Sequence, residues 1–506
     1  MMLKNALSII PTTAYIRQWE EYTLQSHQQS DGLLLMNGAA TAFVKKWWPA
    51  NQKHKYCIIF CGPGNNGGDG YCIALQLLKQ GIRPVIYQLF THKQPSDLIE
   101  KLKKSFQQAG GEWKLIKTEN DFPNLESSVP IIDALFGVGL NRPLSTLAAA
   151  LVNHINHANA AVWSVDLPSG MGADTFIPGP QINARVTICF EVPKPAFFLA
   201  QNASVLGKWE IASIGLNAHY PKQHDTKLQL LQQLYIQSIF RPRKAHQHKG
   251  NFGNACMIAG SSGKMGAAIL ASRACLQSGV GLLTAIIPEA YANAVHSNLP
   301  ETMIRFREQG LPDIQSYKAI GMGPGLGTDA AVTACVLSIL KETKMPVVID
   351  ADAITILSNQ PNGISLIPPD AIITPHPKEF DRLFGKQEND YARAAKAISL
   401  SESYPWILIL KGQYTLICYK GRGWYNTTGN VGLAKGGSGD VLTGIITALL
   451  AQGYSLLHSA QLGVYLHGTA ADIAINDSAY ESLLASDVIT SLGEAFRSLY
   501  NSHDAP

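Results

Sequence analysis

The chain has 506 residues, of which 46% are hydrophobic and 15% are charged, and its formal net charge at pH 7 is +4. This length exceeds the roughly 250 to 300 residues at which a single hydrophobic core stops growing, so the sequence predicts at least two domains. The composition excludes a disordered or fibrous chain, and the scattered lysines and arginines argue against nucleic acid as a partner.

The cysteines and the apolar stretches indicate the cellular compartment of the protein. The eight cysteines are mostly far apart and form no CxxC pair, which is typical of buried thiols in a reducing compartment. The apolar patch near the N-terminus is interrupted by Pro11 and is too short for a secretory signal. The most apolar long stretch, residues 265–288, contains Arg273 and lacks the ~20 lipid-compatible residues of a spanning helix. We therefore expect a cytoplasmic protein with no membrane partner.

Short apolar runs rich in β-branched residues alternate with longer polar or amphipathic segments along the first half of the chain. The runs are residues 56–60, 84–90, 129–137, 161–170 and 185–191. This alternation predicts βαβ units, and therefore an α/β fold with a parallel sheet.

Between residues 217 and 249 the sequence changes to a stretch rich in Gln, His and Lys with prolines near both ends, and we place the domain boundary there. The alternation of apolar runs and helical segments then resumes, which predicts a second, doubly wound α/β sheet. The two halves share no internal repeat and no glycine motif, so the pattern indicates a fusion of two different folds.

A glycine-rich segment, CGPGNNGGDGY (61–71), follows the first predicted strand and precedes an apolar helical stretch. Such a turn lets the backbone approach a ligand, and the helix behind it offers unpaired N–H groups to an anion. We do not interpret this segment as a plain dinucleotide fingerprint. A tight turn with glycines at positive φ is the structural alternative. The polar side chains of Asn65, Asn66 and Asp69 favour a site.

Two further predicted strands end in segments that combine aspartates with glycines. These segments are IIDALFGVGLNRP (131–143) and SVDLPSGMGAD (164–174). Because ligands bind beyond the carboxyl ends of parallel strands, we expect Asp69, Asp133 and Asp166 to lie close together. Such carboxylates need protons or a cation, and the oxygens of Asn66 and Ser169 suit a hard metal or a monovalent ion. One of the carboxylates could instead be a general base, and each aspartate taken alone could be a turn or helix-cap residue.

Four segments, NNGGDGY, DALFGVGL, VDLPSG and PKPAFFL, resemble the NAD(P)HX epimerase family over residues 10–218. The resemblance implies a Rossmann-like three-layer domain that interconverts the R and S epimers of hydrated NADH or NADPH and binds potassium. It implies that Asn66, Asp133 and Ser169 hold the potassium ion and that Asp166, at the nicotinamide end, is the acid–base residue. The other substrate contacts that it implies are Asn65, Asn66, Gly67, Gly68, Asp69, Gly137, Val138, Gly139, Leu140, Asn141, Arg142 and Pro143. One departure is GLLLMNGAA (32–40), where an acidic or arginine residue often follows the LM pair.

Glycine-rich segments also follow predicted strands in the second half. HKGNFGNACMIAGSSGKMGAAILAS (248–272) and GMGPGLGTD (321–329) each place a loop of small residues where backbone N–H groups can cradle phosphates. TPHPKEF (374–380) places His376 between two prolines at a strand end, where it is either a ligand contact or a structural histidine.

The segment NTTGNVGLAKGGSGDVLTGIITALL (426–450) has GGSGD at the start of a long apolar helix. Asp440 is then expected at the helix N-terminus, beside several backbone N–H groups. An anion hole next to a carboxylate can deprotonate a hydroxyl and stabilise the charge on a transferring phosphoryl group. The structural alternative is that Asp440 only favours the helix dipole, and the glycines at 436, 437 and 439 argue against it.

GGSGD alone resembles the anion-hole motif of ribokinase-like kinases, but GPGLG, PHPKEF, LKGQYT and GLAKGGSGDVLTG together resemble the NAD(P)HX dehydratase family over residues 226–503. The resemblance implies a ribokinase-like α/β domain that phosphorylates the S hydrate at the expense of ADP, giving AMP, phosphate and NAD(P)H. Magnesium would bridge the phosphates, and no protein ligand for it is predicted. The implied hydrate contacts are Ala267, Gly325, His376 and Asp440, with Asp440 activating the hydroxyl. The implied nucleotide contacts are Lys411, Gly412, Gln413, Tyr414, Thr415 and Gly439.

Together the two resemblances imply a bifunctional repair enzyme, an isomerase and a lyase, that acts on NADHX and NADPHX. We also expect a homo-oligomer. Fusion is chemically reasonable because only one epimer is dehydrated and the other must first be converted. Two rival hypotheses stay open. The second half could be a kinase of a small hydroxylated vitamin precursor with the first half as a nucleotide sensor, or the first half could be a scaffold without catalysis. The three aspartates of the first half argue against the scaffold.

Overall fold

The structure, a computed structural model, describes residues 9–28, 32–90, 96–220, 226–310 and 313–500, and it divides into two compact units between Leu228 and Gln229. The strands of the first unit are β1 (Tyr56–Cys61), β2 (Arg83–Leu89), β3 (Glu112–Ile116), β4 (Ile131–Ala134), β5 (Val162–Val165), β6 (Val186–Phe190) and β7 (Lys208–Ala212). Its helices are α1 (Thr13–Ser26), α2 (Leu33–Asn51), α3 (Asn65–Lys79), α4 (Asp97–Gln108), α5 (Thr146–His157) and α6 (Ala203–Leu206).

The first unit is a three-layer fold around a seven-stranded sheet. The strands lie in the order β3-β2-β1-β4-β5-β6-β7, and all neighbours are parallel. One face packs against α2, α3 and α4, and the other packs against α5. The predicted Rossmann-like α/β fold is confirmed. The strand order reverses between β1 and β4. Open parallel sheets bind ligands at such a reversal, which we call the switch point.

The second unit is a ten-stranded sheet covered by helices. Its strands are β8 (Leu228–Leu230), β9 (Asn254–Ile258), β10 (Leu282–Ile287), β11 (Met303–Phe306), β12 (Ala319–Met322), β13 (Val347–Ile349), β14 (Ala371–Ile373), β15 (Ile407–Leu410), β16 (Thr415–Tyr419) and β17 (Arg422–Asn426). They lie in the order β11-β10-β9-β12-β13-β14-β15-β16-β17-β8. Strands β9 to β15 are parallel to one another, so the predicted second α/β sheet is confirmed, and its order reverses between β9 and β12.

An antiparallel extension of this sheet, which the sequence did not predict, is formed by β16 and β17. The connections on either side of β16 are too short for the crossover that parallel strands need. Lys420 and Gly421, which join β16 to β17, both have positive φ, as a two-residue hairpin turn of type I′ requires.

The helices of the second unit are α7 (Gln233–Ile239), α8 (Met265–Gln277), α9 (Ala292–Asn298), α10 (Ala330–Glu342), α11 (Ala351–Ser358), α12 (Pro377–Phe384), α13 (Asp390–Ser403), α14 (Ser438–Ala451), α15 (Leu456–Ala474) and α16 (Ala485–Arg497). A large core joins α8, α14, α15 and α16 to the sheet. Helix α14 is buried along all of residues 441–451, as expected for a helix that is apolar all round. In the part of the chain that the structure describes, no helix is both long and apolar enough to cross a membrane.

Candidate active sites

At the β1–β4 switch point, the glycine-rich loop after β1 lies in close contact with the backbone that follows β4, and the first site is formed there. A Cβ at Gly62 would lie 1.8 Å from the carbonyl oxygen of Leu135, and a Cβ at Gly67 would lie 2.0 Å from the carbonyl oxygen of Gly62. Only glycine fits these positions, so the loop lies flat against the end of β4, and α3 begins directly behind it at Asn65. The first turn of α3 therefore offers its N–H groups to an anion at this edge of the sheet.

Asp133 lies inside β4 and is fully buried. Its Oδ2 accepts from the Oγ of Ser164 and the backbone N–H of Ser169, both at 2.9 Å, and its Oδ1 accepts from the Oγ of Ser169 at 2.5 Å. Burial raises the pKa of Asp133, although these hydrogen bonds act to lower it. A carboxylate in this position gains further stabilisation from a nearby cation.

Asn66 lies against the loop that follows β4, since a Cβ at Gly137 would be 3.2 Å from its Oδ1. The Oγ of Ser169 accepts from the N–H of Phe136, so Asn66, Asp133 and Ser169 gather around one short segment. Asn66 is 8% exposed, and its Nδ2 has no hydrogen-bond partner among the described residues. Carboxylate, amide and hydroxyl oxygens are ligands that hard cations take, so this donor set fits potassium.

Asp166 follows β5 with a φ of 65°, a left-handed conformation that is uncommon for a residue with a side chain. Its Oδ1 accepts from the N–H of Phe190 at 2.9 Å and from the ammonium of Lys194. Lys194 is 1% exposed, and its Nζ also donates to the carbonyl oxygen of Phe190 at 3.2 Å. Burial acts to lower the pKa of Lys194, but the charges of Asp166 and Cys189 and the hydrogen bonds to both side chains together outweigh it, and the pKa is raised. A buried ion pair thus fixes this carboxylate at the sheet edge.

Two further carboxyl groups lie close to Asp166. Burial raises the pKa of Asp69, on α3, well above its ordinary value, and repulsion from Asp166 and Glu20 adds to the effect. Burial also raises the pKa of Glu20, on α1, to about 7, again with a contribution from Asp166. Because three carboxyl groups around one ammonium resist being ionised together, the cluster holds protons near neutral pH. Asp69 and Asp166 are therefore brought together as expected, whereas Asp133 has its own hydrogen-bond partners.

The loop of residues 137–143 forms the rim of this site. It follows β4, is partly buried at Val138 and Leu140, and is exposed at Asn141, Arg142 and Pro143. A Cβ at Gly139 would lie 3.8 Å from Nη2 of Arg17, so α1 also faces the site.

Sequence reasoning missed Arg17, Glu20 and Lys194. Lys194 left a signal, because it stands between two prolines directly after a predicted strand. Nothing in the sequence of α1 indicates which site its polar face meets.

The second site begins at the β9–β12 switch point. The Oγ of Ser261 donates to the carbonyl oxygen of Gly325 at 2.8 Å. The N–H of Gly260 donates to the carbonyl oxygen of Pro324 at 2.9 Å. A Cβ at Gly325 would lie 3.0 Å from the Cβ of Ala267. The structure therefore places Ala267 and Gly325, two predicted hydrate contacts, side by side.

Asp440 lies in the first turn of α14, which begins after Gly437, whose φ is 96°. Burial raises the pKa of Asp440 to about 7, and repulsion from Asp350 adds to this effect, while the charge of Lys411 opposes it. A carboxyl group that titrates near neutral pH is suited to take a proton from a substrate.

An ion pair between a buried carboxylate and a partly buried ammonium lies beside the GGSGD turn. Asp350, which directly follows β13, is 1% exposed, and its Oδ1 accepts from the Nζ of Lys411 at 2.7 Å. Its Oδ2 accepts from the Oγ1 of Thr443 at 2.8 Å. A Cβ at Gly439 would lie 3.3 Å from the Nζ of Lys411. Lys411 and Gly439, two predicted nucleotide contacts, thus meet at the same centre as Asp440, where an ammonium can contact phosphate oxygens.

The other predicted nucleotide contacts follow Lys411 along the chain. Gly412 and Gln413 are exposed, Tyr414 is partly buried, and Thr415 begins β16. The N–H of Lys411 donates to the carbonyl oxygen of Pro375 at 2.9 Å, which joins this segment to the loop that carries His376.

His376 is the N-cap of α12. Its Nδ1 accepts from the N–H groups of Lys378 and Glu379 at 3.1 and 3.3 Å, and its side chain is 47% exposed. His376 therefore has a structural role as a helix cap, and its exposed ring can also be reached by a ligand.

Sequence reasoning missed the two aspartates that follow β13. Asp350 holds Lys411, and Asp352 accepts from the N–H of Gly327 at 2.8 Å and from the Nζ of Lys264 at 3.2 Å. Their signal was the placement of two carboxylates at the carboxyl end of a strand. Within the described ranges, no three His, Cys, Asp or Glu side chains are grouped to hold a metal ion.

Both halves of the chain match known proteins. A family model described as NAD(P)H-hydrate dehydratase matches residues 255–493, and one described as YjeF-related protein N-terminus matches residues 32–196. A bifunctional NAD(P)H-hydrate repair enzyme of Moorella thermoacetica is 32% identical over 92% of this chain and 93% of its own. Another, of Vibrio cholerae, is 34% identical over 96% of this chain and 98% of its own. A solved ADP/ATP-dependent NAD(P)H-hydrate dehydratase of Bacillus subtilis, co-crystallised with ATP and Mg²⁺, is 31% identical, with a TM-score of 0.49 over 54% of this chain and 98% of that one.

Proposed function

The chain belongs to the family of bifunctional NAD(P)H-hydrate repair enzymes, and from this premise we propose that it performs both repair reactions. The first domain, residues 10–218, epimerises R- and S-NAD(P)HX, and the second, residues 226–503, dehydrates the S epimer to NAD(P)H. The observation that carries this proposal is that each unit sets reactive carboxyl groups beside a buried carboxylate–ammonium pair. These pairs are Asp166–Lys194 and Asp350–Lys411.

In the second domain, Asp440 takes the proton of the substrate hydroxyl, and the oxygen then attacks the terminal phosphoryl group of ADP. The N–H groups at the start of α14 and the ammonium of Lys411 stabilise the charge on that phosphoryl group. Magnesium, when bound, neutralises the nucleotide phosphates. AMP leaves, the ring nitrogen's electron pair then expels phosphate, and loss of a ring proton restores the reduced nicotinamide.

The ligand contacts of this domain follow from the same arrangement. We assign Ala267, Gly325 and His376 to the hydrate, because Ala267 and Gly325 adjoin each other at the switch point and the ring of His376 is exposed. The nucleotide lies along Lys411 and the turn of residues 412–415, with its phosphates toward Gly439. ADP is the proposed donor.

In the first domain, Asp166 is the acid–base residue and Lys194 orients it. Epimerisation of the hydroxylated ring carbon proceeds through loss and return of water or through ring opening, and both need a positioned proton-transfer group. The substrate lies between the first turn of α3, which supplies Asn65 to Asp69, and the rim loop of residues 137–143.

Potassium is held in the first domain by Asn66, Asp133 and Ser169. This assignment is supported by the buried carboxylate of Asp133 and by the oxygens of Asn66 and Ser169, which lie around the same short segment. The cation supplies positive charge to that carboxylate.

The enzyme is proposed to be a cytoplasmic homo-oligomer. All eight cysteines are free, and all but Cys335 are buried, as expected in a reducing compartment. Val431 and Leu484 are 69% and 56% exposed, and Gly432 packs against Leu483, so these apolar side chains lie in one region that a second copy can cover. Light scattering on the purified chain tests this, and the mass of a monomer would overturn the assembly.

The decisive experiment follows absorbance at the reduced-nicotinamide band after the protein is mixed with R- and S-NADHX, magnesium, potassium and either ADP or ATP. Recovery of NADH from both epimers with ADP is expected. Recovery that stops at the S fraction would remove the epimerase assignment. No recovery with either nucleotide would instead favour a kinase of a small hydroxylated vitamin precursor, which would release a stable phosphorylated product.

A further inference from the structure

Helix α1 forms a fixed wall of the first site. At its start, the N–H and Oγ1 of Thr13 donate to the carboxylate of Asp174 at 2.9 and 2.6 Å. Further along, the Nε1 of the buried Trp19 donates to the carbonyl oxygen of Asn217 at 2.8 Å. The Oγ1 of Thr23 also accepts from the N–H of Asn217 at 3.0 Å. Because all these attachments are to residues of the same unit, the part of α1 between Thr13 and Thr23 is held in place.

Arg17 and Glu20 are three residues apart on α1 and therefore share one face of this helix. That face is turned to the site, because a Cβ at Gly139 of the rim loop would lie 3.8 Å from Nη2 of Arg17. Glu20 is close enough to Asp166 and Lys194 to interact with both charges. The site thus receives carboxyl groups from two elements, the edge of the sheet and α1.

Glu20 is the carboxyl group of this cluster that is set to exchange protons near neutral pH. The charged or titratable groups that face it are Asp166, Lys194, Asp69, Arg17 and Glu21. Burial is the largest cause that raises the pKa of Glu20 to about 7; Asp166 and Glu21 add to it, while Lys194 and Arg17 oppose it. Asp69 titrates well above its ordinary range.

We propose that Glu20 is a second catalytic residue of the epimerase, which serves one face of the substrate ring while Asp166 serves the other. The inference rests on the epimerase activity proposed above. Inversion at one carbon requires that water leaves from one face and returns to the opposite face, so a single fixed carboxylate does not suit both events.

The reaction balances with these two groups alone. The electron pair of the ring nitrogen forms a C=N bond as the C–O bond breaks, and protonated Glu20 donates its proton so that water leaves. A water molecule on the other face adds to the carbon and gives a proton to the carboxylate of Asp166, while the C=N electron pair returns to nitrogen. The net change is one hydroxyl for another, with one proton moved from Glu20 to Asp166. The reverse reaction uses the same groups in opposite roles.

The test compares Glu20→Gln with Glu21→Gln, its exposed neighbour on the same helix, in the full-length chain. The rate of R- to S-NADHX conversion is measured by chromatographic separation of the epimers from about pH 5 to 9, with the spontaneous rate subtracted. NADHX is used because the additional phosphate of NADPHX titrates near pH 6, in the same window.

The unsubstituted chain and Glu21→Gln are expected to lose activity as the pH rises through about 7, because the acid form of Glu20 disappears there. Glu20→Gln is expected to lose about 10²- to 10⁴-fold in kcat and to lack this alkaline limb. Glu20→Asp, which keeps a carboxyl group, is expected to retain part of the rate together with the limb. Urea unfolding of each variant shows whether the first unit stays folded, and dehydration of S-NADHX, whose site lies in the other unit, controls for the protein concentration.

The outcomes separate this inference from the proposed function. If Glu20→Gln keeps kcat within about two-fold and keeps the alkaline limb, Glu20 has no catalytic role and the epimerase assignment stands. If the unsubstituted chain dehydrates S-NADHX but does not accelerate epimerisation, the assignment of the first domain is wrong and the role of Glu20 fails with it.

Discussion

Asp440 has a pKa raised to about 7, first by burial and then by repulsion from Asp350. A base acts in its ionised form, so the active fraction of the dehydratase grows as the pH rises through this value. We expect kcat/KM for S-NADHX to increase about ten-fold between about pH 6 and 8 and to level off above, as followed by absorbance of the NADH formed. Asp440→Asn is expected to lose the activity together with this dependence.

Asp350→Asn tests how much the charged neighbours of Asp440 contribute to its raised pKa. It removes a repelling carboxylate and frees the ammonium of Lys411, and both changes lower the pKa of Asp440. The acid limb of kcat/KM is therefore expected to move to lower pH. A limb that stays near pH 7 in a folded Asp350→Asn variant would show that neither neighbour sets the pKa of Asp440.

The potassium assignment gives a third prediction at this scale. With tetramethylammonium as the replacing cation at constant ionic strength, the epimerisation rate is expected to rise with potassium and saturate. Asn66→Ala removes one ligand and is expected to shift that saturation to higher potassium concentration. Dehydration under the same conditions serves as the control. An epimerisation rate that is independent of potassium would argue against the site.

The positions of Asp133 and Asp166 were predictable from the sequence, because glycines and strand ends mark the ligand edge of a parallel sheet. The position of Asp440 was predictable because GGSGD precedes a long apolar helix. The roles of these three residues stay predictions. Glu20 and Lys194 were missed because their importance comes from burial beside other charges, which only the tertiary structure creates.

At the scale of elements, the start of α14 depends on the backbone of Gly437. Its φ is 96°, and a Cβ there would lie 2.8 Å from Cδ1 of Leu270 and 3.0 Å from the Cβ of Ala485. Gly437→Ala is expected to lower the free energy of unfolding by about 1 to 3 kcal/mol, through backbone strain and contact. It is also expected to reduce dehydration, because it shifts the N–H groups that hold the phosphoryl group. Urea unfolding and the NADH assay measure the two effects.

Gly436→Ala is the matched control for this substitution. A Cβ at Gly436 has nothing within 4 Å, and its φ is not positive. Its unfolding free energy is expected to stay within about 0.5 kcal/mol of the unsubstituted chain. Equal effects of the two substitutions would mean that the left-handed conformation of Gly437 is not what sets the helix start.

The parallel strands were the most predictable elements. The run of residues 56–60 became β1 (Tyr56–Cys61), and the run of residues 185–191 contains β6 (Val186–Phe190), because strands buried on both faces are continuous apolar runs. The β16–β17 hairpin was not foreseen, since its turn, Lys420–Gly421, has only one glycine to indicate two residues at positive φ. Contact of α1 with the first site was beyond sequence reasoning because helix periodicity does not specify what the helix packs against.

At the scale of the whole molecule, the chain length and the change in composition at residues 217–249 predicted two domains. The structure divides between Leu228 and Gln229, inside that stretch. Each unit has its own sheet, its own switch point and its own buried ion pair. The two reactions are therefore expected to be separable by single substitutions. Asp166→Ala should abolish epimerisation and spare dehydration, and Asp440→Ala should do the reverse.

Mixing those two variants tests whether the domains must be on one chain. Each variant alone is incomplete, since Asp166→Ala leaves the R epimer unused and Asp440→Ala forms no NADH. If the hydrate is released between the two sites, an equimolar mixture recovers NADH from both epimers, because one chain supplies S-NADHX and the other consumes it. We expect this full recovery, measured by NADH absorbance against each variant alone after subtraction of spontaneous epimerisation. Recovery that stops at the S fraction, although each variant keeps its one activity, would mean that substrate passes between the sites of one chain without release.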